Sequence, residues 1–99
     1  MTNELKMIPN QFNLFSNLDT LKLNNNKIKF LSNLDQCKNL TRLELRSNRI
    51  EIIENIDKLV SLKFITLSCN LIKSIAKISD TPMLKLEELG LFGNYLGNK

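Results

Sequence analysis

The side chains that could carry out chemistry are few and scattered. The 99 residues include no histidine and two cysteines, Cys37 and Cys69, which leaves no Cys/His set for a structural zinc site. The nearest carboxylate pairs, Glu87-Glu88 and Glu51/Glu54, sit in polar stretches that read as solvated turns. With three glycines in the whole chain there is no Gly-rich phosphate loop, and no serine or cysteine stands in a nucleophile motif. We therefore expect a protein that is not an enzyme and holds neither metal nor cofactor. The residues with something to offer are those that recognise other molecules. Lys22, Arg42 and Arg46 supply positive charge, and Phe64 and Phe92 supply large apolar rings. Arg and aromatic side chains are over-represented among the residues that dominate protein interfaces.

What must position these residues is a repeat. Leu18, Leu21, Leu23 and Asn26 recur as Leu40, Leu43, Leu45 and Asn48, as Leu62, Ile65, Leu67 and Asn70, and as Leu86, Leu89, Leu91 and Asn94. The step is 22 residues twice and then 24. After each Asn, apolar residues follow at every third position: Ile28, Leu31, Leu34 and Cys37, then Ile50, Ile53, Ile56 and Leu59, then Ile72, Ile75 and Ile78. The alternation in Leu21/Leu23, Leu43/Leu45, Ile65/Leu67 and Leu89/Leu91 predicts a short strand with one buried face. The Asn amide can both donate to and accept from backbone groups that a turn leaves unpaired. The three-residue spacing that follows suits a 3₁₀ or irregular segment better than an α-helix. One such unit cannot bury its own leucines, whereas stacked units share a continuous core. The chain thus reads as one domain over 1–99: a half repeat over 1–17 with Phe12 and Phe15 as an N-terminal cap, then repeats starting at 18, 40, 62 and 86. The two extra residues of the third unit fall within Ser79-Asp80-Thr81-Pro82-Met83-Leu84. There Thr81 before Pro82 predicts an N-cap and the first turn of a short helical bulge.

The pattern L-x-x-L-x-L-x-x-N-x-I, running from Asn3 to Leu96, resembles the leucine-rich repeat family. It looks like the strict 22-residue class found in the leucine-rich-repeat regulatory subunit of protein phosphatase 1 and in an axonemal dynein light chain. The resemblance implies an α/β solenoid, a right-handed superhelix with about four parallel strands on its concave face and 3₁₀ or irregular segments on its convex side. It also implies a part in regulating or targeting an enzyme such as protein phosphatase 1.

Solenoids bind through their concave faces, and the outward strand positions can be read from the register. They are Thr20, Lys22 and Asn24, then Arg42, Glu44 and Arg46, then Phe64, Thr66 and Ser68, then Glu88, Gly90 and Phe92. Asn26, Asn48, Asn70 and Asn94 form the structural ladder beside them. Four strands spaced about 4.8 Å apart make a face about 15 Å wide, enough for one helix of about 10–12 Å diameter. Its first half is basic, interrupted by Glu44 and Glu88, and its second half is apolar. The expected partner is a protein helix or loop with acidic residues at one end and apolar residues at the other. Nucleic acid is the alternative, because the net charge is +4 and Phe64 and Phe92 could stack on bases. Against it, Lys27, Lys29, Lys58, Lys73 and Lys77 are spread over turns and the convex side instead of forming one stripe.

Four further expectations concern the ends and the environment. Nothing in the sequence closes the stack after Asn94, so Leu89, Leu91 and Leu96 should be partly open, and self-association through that end is a candidate contact. No apolar run exceeds two residues, which predicts neither a membrane span nor a signal peptide and favours a reducing compartment, cytoplasm or nucleus. Cys37 and Cys69 are predicted on opposite sides of the solenoid, too far apart for a disulfide. Asn39-Leu40-Thr41 matches a glycosylation sequon but abuts a repeat leucine, and reads as a chance match.

Overall fold

The architecture is given by a computed structural model that describes residues 4–11, 17–75 and 85–96. Four three-residue strands, β1 (Thr20–Lys22), β2 (Arg42–Glu44), β3 (Phe64–Thr66) and β4 (Glu88–Gly90), form one parallel sheet in chain order. The register steps by one repeat each time. Thr20 aligns with Arg42, Phe64 and Glu88, Leu21 with Leu43, Ile65 and Leu89, and Lys22 with Glu44, Thr66 and Gly90. Backbone hydrogen bonds extend the pairing beyond the strands proper. Thr41 N donates to Asp19 O at one end, and Asn25 N donates to Arg46 O at the other. The 24-residue step between the third and fourth repeats therefore leaves the sheet register intact.

The alternating leucines point where their pattern requires. Leu21, Leu43 and Ile65 are buried, as are Leu23, Leu45 and Leu67 one step further along. They pack against the return side, where Ile28, Ile50 and Ile72, then Leu31 and Ile53, Leu34 and Ile56, and Cys37 and Leu59 stack in successive columns. Fully burying one such side chain contributes about 1.5–3 kcal/mol, and every column supplies one per repeat. The return side is a series of tight turns closed by i→i+3 bonds: Cys37 N to Leu34 O, Leu40 N to Cys37 O, Leu59 N to Ile56 O and Leu62 N to Leu59 O. The expected three-residue period is present, but among the described residues the turns do not merge into a helix, and a short 3₁₀ turn occurs at 10–11. Isolated turns suffice because each is held by packing against its neighbours in the stack.

At the β4 end the same column positions are less covered. Leu86, Leu89 and Leu91 are only partly buried, and Leu96 is exposed where its equivalent Ile72 is fully buried. Phe12 and Phe15 of the proposed cap, Ile78, and the Thr81-Pro82 bulge lie outside the described residues.

The asparagine ladder and the concave face

The four ladder asparagines do what their position suggested. In each repeat the Asn amide spans the gap between neighbouring coils. Asn48 Oδ1 accepts from Ile28 N, 3.1 Å away, while its Nδ2 donates to Leu23 O of the previous coil and Leu45 O of its own, both at 3.0 Å. Asn70 repeats this with Ile50 N, Leu45 O and Leu67 O, and Asn94 with Ile72 N, Leu67 O and Leu91 O. Asn26 completes the series by accepting from Leu5 N. A carboxylate could not donate here and a leucine could do neither, so the residue type follows from the geometry.

A second ladder was not evident from the apolar pattern. Asn33 Nδ2 donates to Ile8 O and Asn55 Nδ2 to Leu31 O, each at 2.7 Å. Both residues are left-handed, with φ of 61° and 58°. Asn tolerates that region better than most residues. Their own 22-residue spacing was the available signal. A further left-handed column precedes the main ladder: Asn25, Ser47, Cys69 and Gly93, with φ of 62°, 60°, 60° and 76°. There the chain leaves the concave face and turns into the return side.

The outward strand residues share one surface in the expected order, but they are not equally available. Arg42 lies over the Phe64 ring, its guanidinium carbon 4.7 Å from the ring centroid, and reaches Glu44 at 3.8 Å. Glu44 also accepts from Asn24 Nδ2 at 2.9 Å, and Asn24 Oδ1 accepts from Arg46 N at 2.8 Å. Asn24, Glu44, Arg42 and Phe64 thus form a diagonal chain across the first three coils in which each satisfies the next. Asn24 is half-buried and bonded. At the margins Thr20, Lys22, Arg46 and Glu88 are exposed, and the Phe92 side chain is 79% exposed. Between Phe64 and Phe92 the surface is lined by the small residues Thr66, Ser68 and Gly90. A Cβ built on Gly90 would meet Ser68 Oγ at 3.4 Å, so the open floor there is not imposed by crowding.

Cys37 is buried and Cys69 half-buried, and they form no disulfide. Burial pushes the Cys37 thiol above its ordinary pKa. Glu4, paired with Lys27 at 2.7 Å, is held below the usual carboxylate range chiefly by that hydrogen-bonded lysine. Among the described residues no group of three or more His, Cys, Asp or Glu side chains forms a candidate metal site.

Four parallel strands in register, an asparagine rung per coil and a leucine core define a leucine-rich repeat solenoid. The family model for leucine-rich repeats in two copies matches residues 16–58 and again 38–80, and the chain belongs to that family. Among solved structures it is similar to the internalin InlF of Listeria monocytogenes, with 33% sequence identity and a TM-score of 0.79 over 93% of this chain. The match spans 26% of that internalin's own chain. No curated protein sequence matches.

Proposed function

We propose that the chain is a protein-interaction module whose concave face receives a helix or loop of a partner protein. The observation that carries this reading is the exposure of Phe92 beside the small-residue floor of Thr66, Ser68 and Gly90, with Phe64 on the far side. A large apolar ring left in water in the turn just after β4, beside small residues, suits an apolar anchor of a partner. Lys22 and Arg46, unencumbered by the Arg42–Glu44 pair, favour acidic groups alongside it. The face is small, about 16 residues against the roughly 20–30 per side of a standard interface, so affinity should be modest. The resemblance to the 22-residue class extends the proposal to regulating or targeting an enzyme such as protein phosphatase 1.

The test is a paired affinity capture using the wild-type chain and a Phe92→Ser, Arg46→Glu variant as baits. A protein retained by the first and lost by the second supports the face, and equal retention of every partner rejects it. The partly open leucines at β4 favour a second contact, with another copy of the chain. Light scattering that shows a dimer lost on Leu96→Asp would support it. Nucleic acid is less favoured, because Glu44 and Phe64 already engage Arg42, and no RNA binding at about 50 mM salt would remove it.

A further inference from the structure

A second surface lies off the concave face, on the side where each coil turns away from the ladder. Its register is fixed by backbone bonds between adjacent coils: Lys27 N to Leu5 O, Arg49 N to Ile28 O and Leu71 N to Ile50 O, at 2.7–2.9 Å. Leu5, Ile28 and Ile50 are therefore equivalent, and two residues on so are Met7, Phe30 and Ile52. The repeat requires nothing apolar at this position, since the core is supplied by the residues on either side. Yet all three are apolar and exposed, by 53%, 59% and 47%. Single exposed apolar residues are ordinary, whereas a contiguous column of them marks a contact surface. A groove of about 130 Å³ opens between Phe30 and Ile52, with Lys29 and Glu51 at its rim. That is well below the roughly 300–1,000 Å³ of small-molecule pockets. It is close to a cavity of about 150 Å³ that takes a single benzene ring, so it suits one leucine or phenylalanine side chain.

The neighbouring column carries charge. Lys6, Lys29 and Lys73 are exposed and make no ion pair with another described residue, with Glu51 set among them. Coils repeat at about 4.8 Å, near the roughly 5.4 Å rise of one α-helical turn. A helix laid along the stacking direction would thus meet one apolar side chain of the column per turn. We propose that Met7, Phe30 and Ile52 form a docking surface for an acidic amphipathic helix of a protein partner. Its apolar stripe fills the groove and its carboxylates face Lys6, Lys29 and Lys73. Glu51 at the rim opposes a continuous anionic surface such as a bilayer. The surface is independent of the concave face and stands or falls separately.

The test is an NMR titration of the full chain, with ¹⁵N label, against a synthetic helical peptide bearing one leucine per turn flanked by glutamates. The expected result is fast-exchange shifts confined to residues around 6–7, 29–30 and 51–52. Binding should weaken at least tenfold in a Phe30→Ser, Ile52→Ser variant and at least tenfold when lysines replace the peptide's glutamates, and be unchanged by Phe92→Ala. Because Phe30 and Ile52 are exposed, that variant should fold, which its amide spectrum verifies. Unchanged binding by the variant, equal binding of the lysine peptide, or loss of binding with Phe92→Ala would overturn the proposal. So would co-sedimentation of the chain with phosphatidylglycerol vesicles that the Phe30→Ser, Ile52→Ser variant abolishes, since the surface would then read a bilayer.

Discussion

At the residue scale, the ladder asparagines show how much one amide can hold. Asn48 is buried, and Ile28 N–H depends on its side-chain oxygen. Leu23 O and Leu45 O each keep a second asparagine donor if Asn48 is lost. Asn48→Ala should therefore cost about 1–3 kcal/mol, the penalty for one stranded buried donor, and urea unfolding measures it. Asn94→Ala, at a half-buried site, should cost less. The cysteines separate in the same way. Cys69 should be alkylated in the native protein, while Cys37 should react only after unfolding. Burial holds the folded Cys37 thiol above the 9.0 of an unburied thiol. Above that pH the unfolded chain releases a proton that the folded chain retains, so stability is intact below it and falls as pH rises through it. A urea midpoint lower at pH 10 than at pH 8, with the Cys37 share of that drop removed by Cys37→Val, would show it. Both ladders recur with the repeat, and the second adjoins the apolar columns too, Asn33 beside Leu34 and Asn55 beside Ile56. The second, Asn33 and Asn55, holds the back of the coil, where its acceptors Ile8 O and Leu31 O are fixed by how the coils stack.

At the element scale, the strands matter less than the turns that end them. Each strand leaves the sheet through a left-handed residue, and the four coils fill that place with Asn25, Ser47, Cys69 and Gly93. An ordinary L-residue there bears about 1–2 kcal/mol of steric strain. Ser47→Asn, which copies the residue of the first coil, should raise stability by up to about 1 kcal/mol, since Asn is better tolerated in this region. Gly93→Ala should do the opposite: its φ is 76°, and the new Cβ would approach Cys69 Sγ to 3.2 Å. Thermal melts of the two variants should shift in opposite directions. Gly90 is a different case, because its backbone is extended and a Cβ there meets only ordinary contacts. Gly90→Ala should therefore keep or slightly raise the melting temperature, through the loss of glycine's freedom in the unfolded chain. It would still begin to fill the floor between Phe64 and Phe92. A partner that binds there should be weakened by a variant that is no less stable, which separates the site from the fold.

At the scale of the whole molecule, each coil touches only its neighbours, so stability is close to a sum of coil and interface contributions. β2 and β3 have a coil on both sides and bury Leu43, Leu45, Ile65 and Leu67 completely, whereas Leu89 and Leu91 of the fourth coil are partly open. Amide exchange should accordingly be slowest at 43–45 and 65–67 and fastest at 89–96, with opening of the fourth coil preceding global unfolding. Uniform protection across the four strands would contradict this. Part of the positive charge is divided between two faces: Lys22 and Arg46 beside the concave floor, Lys6, Lys29 and Lys73 beside the lateral column. The net charge of +4 is thus not one patch, and salt should weaken binding at each face only mildly.

By itself the sequence determined the period, the columns and therefore the solenoid. Each buried Leu or Ile is placed by its own transfer from water, which needs no knowledge of its partner, and 22-residue spacing then forces identical coils into register. The rung asparagines were legible for the same reason, since a turn beside an apolar strand must find partners for its backbone. Tertiary structure alone decided which outward residues are available. Arg42, Glu44 and Asn24 are neutralised by one another and by Phe64, while Lys22, Arg46 and Phe92 stand open. Such pairing depends on the distance and direction between side chains from three different coils, a property of pairs in space that no single column of the repeat contains.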